Sequence, residues 1–357
     1  MDRRTFLAAS ASLAVPCAVR ADDPVKVGLL LVGPRSDGGW SQHHYESAKE
    51  MVAHFGGSVE LVYQESVPEG PDAERAMTQM ALGGADMIFA ASFGYMDPTL
   101  RVASKFPKVR FEHATGYKTA ENVAVYSPRF YEGLAVMGYI AGSMSETNKI
   151  GVVAPFPIPL VVRGINSIFV NAHRVNPEID IDVIWVNTWY DPAKEGDATQ
   201  ALLDQQADFV FSLTDSTATL ATIQRHGTGG FGFGFTSDMA TFAPDPRLSS
   251  VITNWTPYYI ERVQSLIDGT WQSGIRWDGL AKGMIKVGDF SEVIPASVRE
   301  GAAKMRADIS SSTYHPFTGP LNKQDGSVWL SEGETANDAS LSGMSFFVEG
   351  IGSAIPG

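Results

Sequence analysis

Cysteine is almost missing from this sequence, since Cys17 is the one cysteine among 357 residues. Residues 1–21 combine a basic start, a short apolar middle and small residues near their end, which is typical of an export signal. Arg3 and Arg4 resemble a twin-arginine signal, although the Sec route is also consistent with this segment. We expect cleavage before Asp22, and therefore a mature chain without disulfides or thiolate chemistry. The residues before Cys17 make a poor lipobox, which disfavours a lipid anchor.

Long apolar runs and positive charge are also scarce. Beyond the N-terminal segment, no stretch approaches the ~20 consecutive apolar residues that a membrane-spanning helix needs. The 27 basic residues are outnumbered by 40 acidic ones, which gives a formal net charge of −13. A surface this acidic repels phosphate backbones, so we expect neither a nucleic acid nor an anionic membrane surface as a partner. The length and the apolar content of 44% suffice for two domains.

Catalytic and cofactor motifs are missing as well. The sequence contains no P-loop, no G-x-S-x-G elbow and no H-E-x-x-H motif. Gly227, Gly229 and Gly232 have the spacing of the dinucleotide fingerprint, but they precede an apolar strand instead of joining a strand to a helix. Asp180 and Asp182 could suggest a calcium-dependent nucleoside hydrolase, yet no acidic cluster follows them. We therefore expect a protein without catalytic residues, cofactor or metal site.

The sequence does contain apolar runs of strand length that alternate with helical patterns, in two successive series. The first series has runs at 25–32, 58–63, 86–91 and 109–113, and the second has runs at 149–155, 181–186, 208–212, 231–235 and 249–253. This rhythm predicts two α/β lobes, each built on a parallel sheet. We assign residues 22–127 plus about 256–290 to lobe 1, and residues 128–255 plus part of 291–357 to lobe 2.

Ligands of parallel α/β sheets bind beyond the carboxyl ends of the strands. Aromatic, acidic and amide side chains follow the predicted strands at these ends: Asp37, Trp40, Phe93, Tyr95, Phe156, Trp189, Asp215, Asp238, Asn254 and Trp255. A lone tryptophan often covers a loop, and an aspartate often caps a helix. We interpret Asp215 as a helix N-cap first, and Asp238, which precedes a weak helix, as a ligand contact first. The coincidence of such residues in both lobes predicts a ligand cleft between them.

Motifs along the whole mature chain resemble those of the basic membrane protein family. They are DGGWSQHH, ASFGYMDP, FEHATGY, RFYEGLAVMGYIAG, FPIPLVVRGINS, NTWYDPAKE, TDST, SDM and HPFTGPLNKQDGSVWL. The resemblance implies a type I periplasmic binding protein, in which a hinge joins two Rossmann-like lobes. It also implies a periplasmic monomer that binds a small molecule and whose partner is the membrane permease of an ABC importer. The best-known members are purine nucleoside receptors.

The resemblance also implies roles for single residues. In the nucleoside receptors two aromatic side chains sandwich the base, and Trp40 and Trp189 occupy the matching positions here. Asp37 resembles the carboxylate that reads a base edge. Asp238 matches the aspartate that holds the ribose hydroxyls.

One departure from the nucleoside receptors concerns the sugar. The lysine that contacts the sugar in that branch is missing, and Asn254 and Trp255 occur in its region. A bulky indole there would fill the sugar's space, so we expect a free purine base as the ligand, with adenine as first choice. A nucleoside or another small-molecule receptor of the same fold stays open, as does an exported nucleoside-cleaving enzyme that uses Asp37 or Asp238 as general base.

Overall fold

The computed structural model describes residues 23–227 and 229–356, so the expected export signal lies outside the described residues. The first part of the described chain alternates strands and helices. Its elements are β1 (Val25–Leu31), α1 (Trp40–Phe55), β2 (Val59–Gln64), α2 (Pro71–Leu82), β3 (Met87–Ala91), α3 (Met96–Lys105), β4 (Arg110–Ala114) and β5 (Val123–Pro128). A short 3-10 helix, Phe93–Tyr95, precedes α3.

The alternation continues after β5. The elements of this part are α4 (Phe130–Met144), β6 (Lys149–Ala154), α5 (Pro159–His173), β7 (Asp180–Trp185), α6 (Pro192–Asp204), β8 (Phe209–Ser212), α7 (Ala218–His226), β9 (Phe231–Thr236) and β10 (Arg247–Thr253). The remaining chain forms α8 (Thr256–Ile267), β11 (Ile275–Asp278), β12 (Ile285–Val287), α9 (Ala296–Ser310), β13 (Leu321–Asn322), β14 (Val328–Leu330) and α10 (Asp338–Ser342).

Two six-stranded sheets organise these elements. The first has the strand order β11-β5-β4-β3-β1-β2, and the second has the order β12-β10-β9-β8-β6-β7. Within these two sheets all pairings are parallel except that of β12 with β10. β13 and β14 form a separate antiparallel pair. Helices cover both faces, so the residues of β3 and β8 are buried throughout, as in other parallel sheets. The predicted fold class, two α/β lobes with parallel sheets, is confirmed.

The described chain passes between the sheets at three places: after β5, after β10 and between β11 and β12. The range 256–290, which we assigned to lobe 1, needs a correction at its end. β11 extends the first sheet beside β5, but β12 pairs with β10 in the second sheet. Ile285 and Val287 of β12 bury their side chains there, which draws this short segment to the second lobe. Within the described residues, no helix combines the length and the apolar character needed to cross a membrane.

Candidate ligand-binding site between the two lobes

A cavity lies between the carboxyl ends of the two sheets. Including the part open to solvent, the space measures about 410 Å³. Its walls come from both lobes and from the start of α4: Val32, Trp40, Ser92, Phe93, Thr115, Phe130, Ile158, Leu160, Trp189, Leu213, Asp215, Phe235 and Thr236. Four of the ten sequence-predicted residues line it, namely Trp40, Phe93, Trp189 and Asp215. We call this space the aromatic cavity.

Trp40, the first residue of α1, is held in place from behind. Its Nε1 donates a hydrogen bond to the carbonyl oxygen of Ala91, at the end of β3, over 2.8 Å. The ring of Trp255 packs edge-on against it, with the ring centroids 5.3 Å apart. His44, one turn along α1, adds a second edge-on contact at 4.4 Å. The orientation of the Trp40 ring is therefore fixed before any ligand arrives.

Trp189, in the loop between β7 and α6, reaches across to the first lobe. Its Nε1 donates to Oε1 of Glu69 over 3.0 Å. The same carboxylate oxygen accepts hydrogen bonds from Ser92 Oγ (2.6 Å) and from the backbone N–H of Gly94 (2.9 Å). Phe156 does not line the aromatic cavity, and its ring supports Trp189 at a centroid distance of 5.3 Å. Glu69 thus joins the tryptophan of one lobe to the wall of the other.

The lobes also touch at the glycines that precede Trp40. A Cβ on Gly39 would lie 2.3 Å from the carbonyl oxygen of Asp215, and one on Gly38 would lie 2.5 Å from Thr217 Cγ2. Gly38 has a φ of 85°, which side chains rarely tolerate, and its carbonyl accepts a hydrogen bond from Ser237 Oγ. Two glycines are needed here because the turn after β1 packs directly on the loop after β8.

Asp215 is the charged residue that lines the aromatic cavity. It is 4% exposed, and its backbone N–H donates to the carbonyl of Trp189 over 2.9 Å. Among the described residues, no hydrogen-bond donor reaches its carboxylate. Burial raises the pKa of Asp215 well above that of an ordinary aspartate, and nearby Asp37, Glu195 and Glu69 raise it further. The sequence interpretation of Asp215 as an N-cap is wrong, because α7 begins at Ala218 and its N-cap residue is Thr217.

Asp37 is as buried as Asp215, but its carboxylate accepts hydrogen bonds from the protein itself. Its carboxylate accepts hydrogen bonds from the backbone N–H groups of Gly39 (2.8 Å), Ser41 (2.8 Å) and Gln42 (3.0 Å). It therefore caps the N-terminus of α1. Burial raises the pKa of Asp37, while these hydrogen bonds lower it. Asp37 does not line the aromatic cavity, so its predicted contact with a base edge is not seen in this arrangement.

Asp238 also lies away from the aromatic cavity. Its side chain is 51% exposed and forms an ion pair with Arg247 at 3.3 Å. The structure places Asp215, and not Asp238, on the wall of the aromatic cavity, and the ligand contact of Asp238 stays a prediction. The cause is the direction of the chain at the end of β9, where Thr236, the last residue of the strand, has a φ of 63° and faces the aromatic cavity while Asp238 faces outward.

The other predicted residues support the aromatic cavity or the lobe crossings without lining it. Tyr95 is fully buried in the first lobe, and its hydroxyl donates to the carbonyl of Val67 over 2.6 Å. Asn254 donates to the carbonyl of Gly283 over 2.8 Å where the chain passes between the sheets. Trp255 is fully buried and stacks on His44 at 4.4 Å, so the predicted sugar-side wall lies behind Trp40 instead.

Sequence reasoning missed several of the walls. Phe130 and Phe235 pack together with ring centroids 4.8 Å apart, and both line the aromatic cavity. The hydroxyl of Thr236 is buried without a hydrogen-bond partner in the described structure. Phe235 ends the predicted strand 231–235, so the rule of carboxyl ends would have found it, and Thr236 follows directly. Within residues 23–227 and 229–356 no His, Cys, Asp and Glu side chains gather in a group that could hold a metal ion.

Comparisons with known proteins agree with this architecture. The profile of the Bmp family, described as ABC transporter substrate-binding protein PnrA-like, matches residues 24–314. A purine-binding protein of Brucella abortus (strain 2308) is 47% identical over 339 residues, which cover 95% of this chain and 96% of that protein. A putative ABC transporter glucose-binding protein of Haloferax volcanii is 34% identical over 334 residues, which cover 94% of this chain and 82% of that protein.

A solved structure is similar in fold. It is an ABC transporter solute-binding protein from Aeropyrum pernix K1, with a TM-score of 0.71 at 17% sequence identity over 84% of this chain and 93% of that one. The family profile and the Brucella relative each span most of this chain, so the resemblance found in the sequence is confirmed. The chain belongs to the Bmp family of ABC transporter substrate-binding proteins.

Proposed function

We propose that this protein captures a free purine base, with adenine as first choice, in the aromatic cavity and delivers it to the membrane permease of an ABC importer. The observation that carries the proposal is the carboxylate of Asp215, buried in an aromatic wall and without a donor among the described residues. The relative with 47% identity is named a purine-binding protein, which supports this choice of ligand.

The aromatic walls suit a flat ring. Trp40 comes from the first lobe and Trp189 from the second, and Phe93, Phe130 and Phe235 complete the surroundings. Stacking of a base on an aromatic side chain contributes about 1–3 kcal/mol per base. Stacking accepts any planar ring, so it supplies affinity without selecting one purine.

Selection is the proposed role of Asp215. In its ionised form this carboxylate accepts hydrogen bonds only, and adenine offers N–H donors on its N6 amino group and on its ring nitrogen N9. A buried acceptor left unpaired costs about 1–3 kcal/mol, so a ring without donors in this place is rejected. The hydroxyl of Thr236, which also lacks a partner within the described residues, supplies one further contact to the ring edge.

A free base is preferred to a nucleoside because the expected sugar contact points elsewhere. Asp238, which matches the ribose-holding aspartate of nucleoside receptors, is bound to Arg247 outside the aromatic cavity. Trp255 does not supply the argument that the sequence suggested, since it lies behind Trp40. A nucleoside is the second candidate, and the exported enzyme is disfavoured because neither of its proposed bases, Asp37 or Asp238, lines the aromatic cavity.

Binding is coupled to closure of the lobes in this proposal. A ring between Trp40 and Trp189 contacts both lobes, and the hydrogen bond from Trp189 to Glu69 also joins them. Separation of the lobes would break both links. Ligand therefore favours the closed state by its differential affinity for that state. We propose that an exported, monomeric protein presents this closed state to its permease.

Calorimetric titration tests the proposal. The mature protein is unfolded and refolded to remove carried ligand, and is then titrated with adenine, adenosine and glucose in separate runs. Tight adenine binding with weak or no adenosine binding supports the free-base site. If adenosine binds as tightly as adenine, the proposed ligand becomes a nucleoside instead of a free base. Glucose binding without binding of either purine rejects a purine ligand.

A further inference from the structure

A second cavity adjoins the aromatic cavity. The two share Phe93, Thr115 and Leu160 as common walls, and the second one measures about 730 Å³ with its opening included. Its rim is formed by the exposed side chains of Tyr117 and Ile275, so it is reached from solvent. We call it the arginine cavity, because Arg163 is the one charged residue among its described lining residues.

Arg163 is a buried cation without a carboxylate partner. It is 4% exposed, and its Nη1 donates to the carbonyl of Leu341 over 2.6 Å. No carboxylate among the described residues comes within ion-pair distance of its guanidinium. The guanidinium packs 4.7 Å from the ring of Trp277. Burial lowers the pKa of Arg163 to about 10, which reflects the cost of holding this charge away from water.

A neighbouring arginine, Arg129, packs on the same tryptophan but has a hydrogen-bond acceptor for each guanidinium nitrogen. Arg129 packs 4.5 Å from the same Trp277 ring. It makes two hydrogen bonds to the carboxylate of Asp338, at 2.7 and 2.6 Å, and others to Tyr131 Oη and the carbonyl of Trp277. Arg163 has one carbonyl acceptor, and the rest of its donor fork has no acceptor in the described structure. Both arginines therefore pack on the ring of Trp277, but of the two only Arg129 forms an ion pair with a carboxylate.

A second positive feature lines the arginine cavity. Pro159 and Leu160, the first residues of the fifteen-residue helix α5, belong to its wall. Pro159 has no N–H, and the N–H groups of Val161 and Val162 donate to the carbonyl of Ile158. The positive character of this end therefore comes from the helix dipole and the N–H of Leu160. No aspartate or glutamate is found among the described lining residues, in a protein with 40 acidic and 27 basic residues. The local charge is therefore opposite to that of the molecule and to that of the aromatic cavity, where Asp215 lies.

We propose that the arginine cavity binds a small oxyanion of the phosphate or carboxylate class, held by the guanidinium of Arg163 at the N-terminus of α5. A guanidinium presents paired N–H donors that match two oxygens of such an anion, and these charge-assisted hydrogen bonds are stronger than neutral ones. The anion is either free in solution or an acidic group on the molecule whose ring occupies the aromatic cavity. The site itself does not depend on the identity of that ring.

Titration with inorganic phosphate, in a buffer without other oxyanions and without purine, tests the site. Wild-type protein stripped of ligand should bind phosphate, and Arg163→Met should bind it at least about tenfold more weakly because a charged hydrogen-bond donor is lost. Arg163→Lys should recover part of the binding, since it keeps the charge. Arg306→Met is the matched control, because Arg306 packs on Phe290 outside both cavities. Circular dichroism checks that each variant is folded.

The source of the anion is resolved by comparing adenosine with adenosine 5′-monophosphate. A gain in affinity from the phosphate group that disappears in Arg163→Met assigns the anion to the ring ligand. Phosphate binding by wild type with no such gain assigns the site to a free anion. If phosphate and acetate bind equally well to wild type and Arg163→Met, or to neither, and the monophosphate binds no better than adenosine, the proposal is overturned. A failure to bind adenine would leave this result unaffected.

Discussion

Two aspartates follow neighbouring strands of the second sheet, and the structure gives them opposite surroundings. Asp215, after β8, lies in the aromatic cavity, and no donor among the described residues reaches its carboxylate. Asp238, after β9, is half exposed and paired with Arg247. Asp37 adds a third case, since it is as buried as Asp215 but receives three backbone N–H bonds. A buried carboxylate that the protein itself satisfies supports the fold, whereas one that it leaves open favours a ligand that donates hydrogen bonds.

The largest expected effect on adenine affinity comes from replacing Asp215 with asparagine, and the same change at Asp238 is its control. Asp215→Asn should weaken adenine binding by about 1.5–3 kcal/mol, or roughly 10- to 150-fold, because a charged acceptor of the ligand's N–H groups is lost. Asp238→Asn should change the affinity by less than about 0.5 kcal/mol, as expected of an exposed ion pair away from the site. Calorimetry on both variants checks the order. A larger loss in Asp238→Asn would restore the role that the sequence suggested for Asp238.

The fold was predictable from the sequence because its signals are local. Buried parallel strands such as β1 and β3 are continuous apolar runs, and these were found nearly to the residue. β5 and the four strands β11 to β14 were missed. β11 and β12 are short edge strands with polar or charged residues, and their place depends on which sheet offers a free edge after the chain has crossed.

The site was predictable only in part, because some of its walls are set by the path of the chain between the lobes. Trp40 and Trp189 were found because each follows a strand and large aromatic side chains are conspicuous there. Phe130 was missed because it lines the aromatic cavity only through the passage of the chain from β5 into α4. Asp215 and Asp238 look alike in sequence, and which of them faces the aromatic cavity is set by the backbone turns after β8 and β9. Such directions depend on tertiary packing and leave no local signal.

The next largest effect should come from the two tryptophans. Trp40→Ala and Trp189→Ala should each weaken adenine binding by about 1–3 kcal/mol, because each removes one stacking surface. Trp40 is buried, so its replacement should also lower the free energy of unfolding by about 3–5 kcal/mol, whereas half-buried Trp189 should cost less. Calorimetry and urea unfolding separate the two effects. Unchanged affinity in both variants would discard the stacking clamp.

A smaller effect isolates the link between the lobes. Trp189→Phe keeps an aromatic face but removes the N–H that donates to Glu69. Affinity for adenine should fall by about 0.5–1.5 kcal/mol, the usual net value of one hydrogen bond. Trp185→Phe is the matched control, because Trp185 Nε1 donates to the carbonyl of Ala354 away from the aromatic cavity. If the two variants bind adenine equally well, the hydrogen bond to Glu69 does not contribute to closure.

The smallest effect concerns the free energy of unfolding. It tests whether the carboxylate of Asp215 lacks a hydrogen-bond donor, in contrast to that of Asp37. Burial raises the pKa of Asp215 in the folded protein, whereas in the unfolded chain an aspartate titrates near pH ~3.9. Above that pH the unfolded state loses its proton first, so this group makes the folded state progressively less stable as the pH rises towards the folded pKa. Asp215→Asn removes the penalty and should be more stable than wild type in the absence of ligand. Urea unfolding of both proteins from pH ~4 to 8 should show the gap in free energy widening with pH, and parallel curves would mean that the Asp215 carboxylate is satisfied in solution.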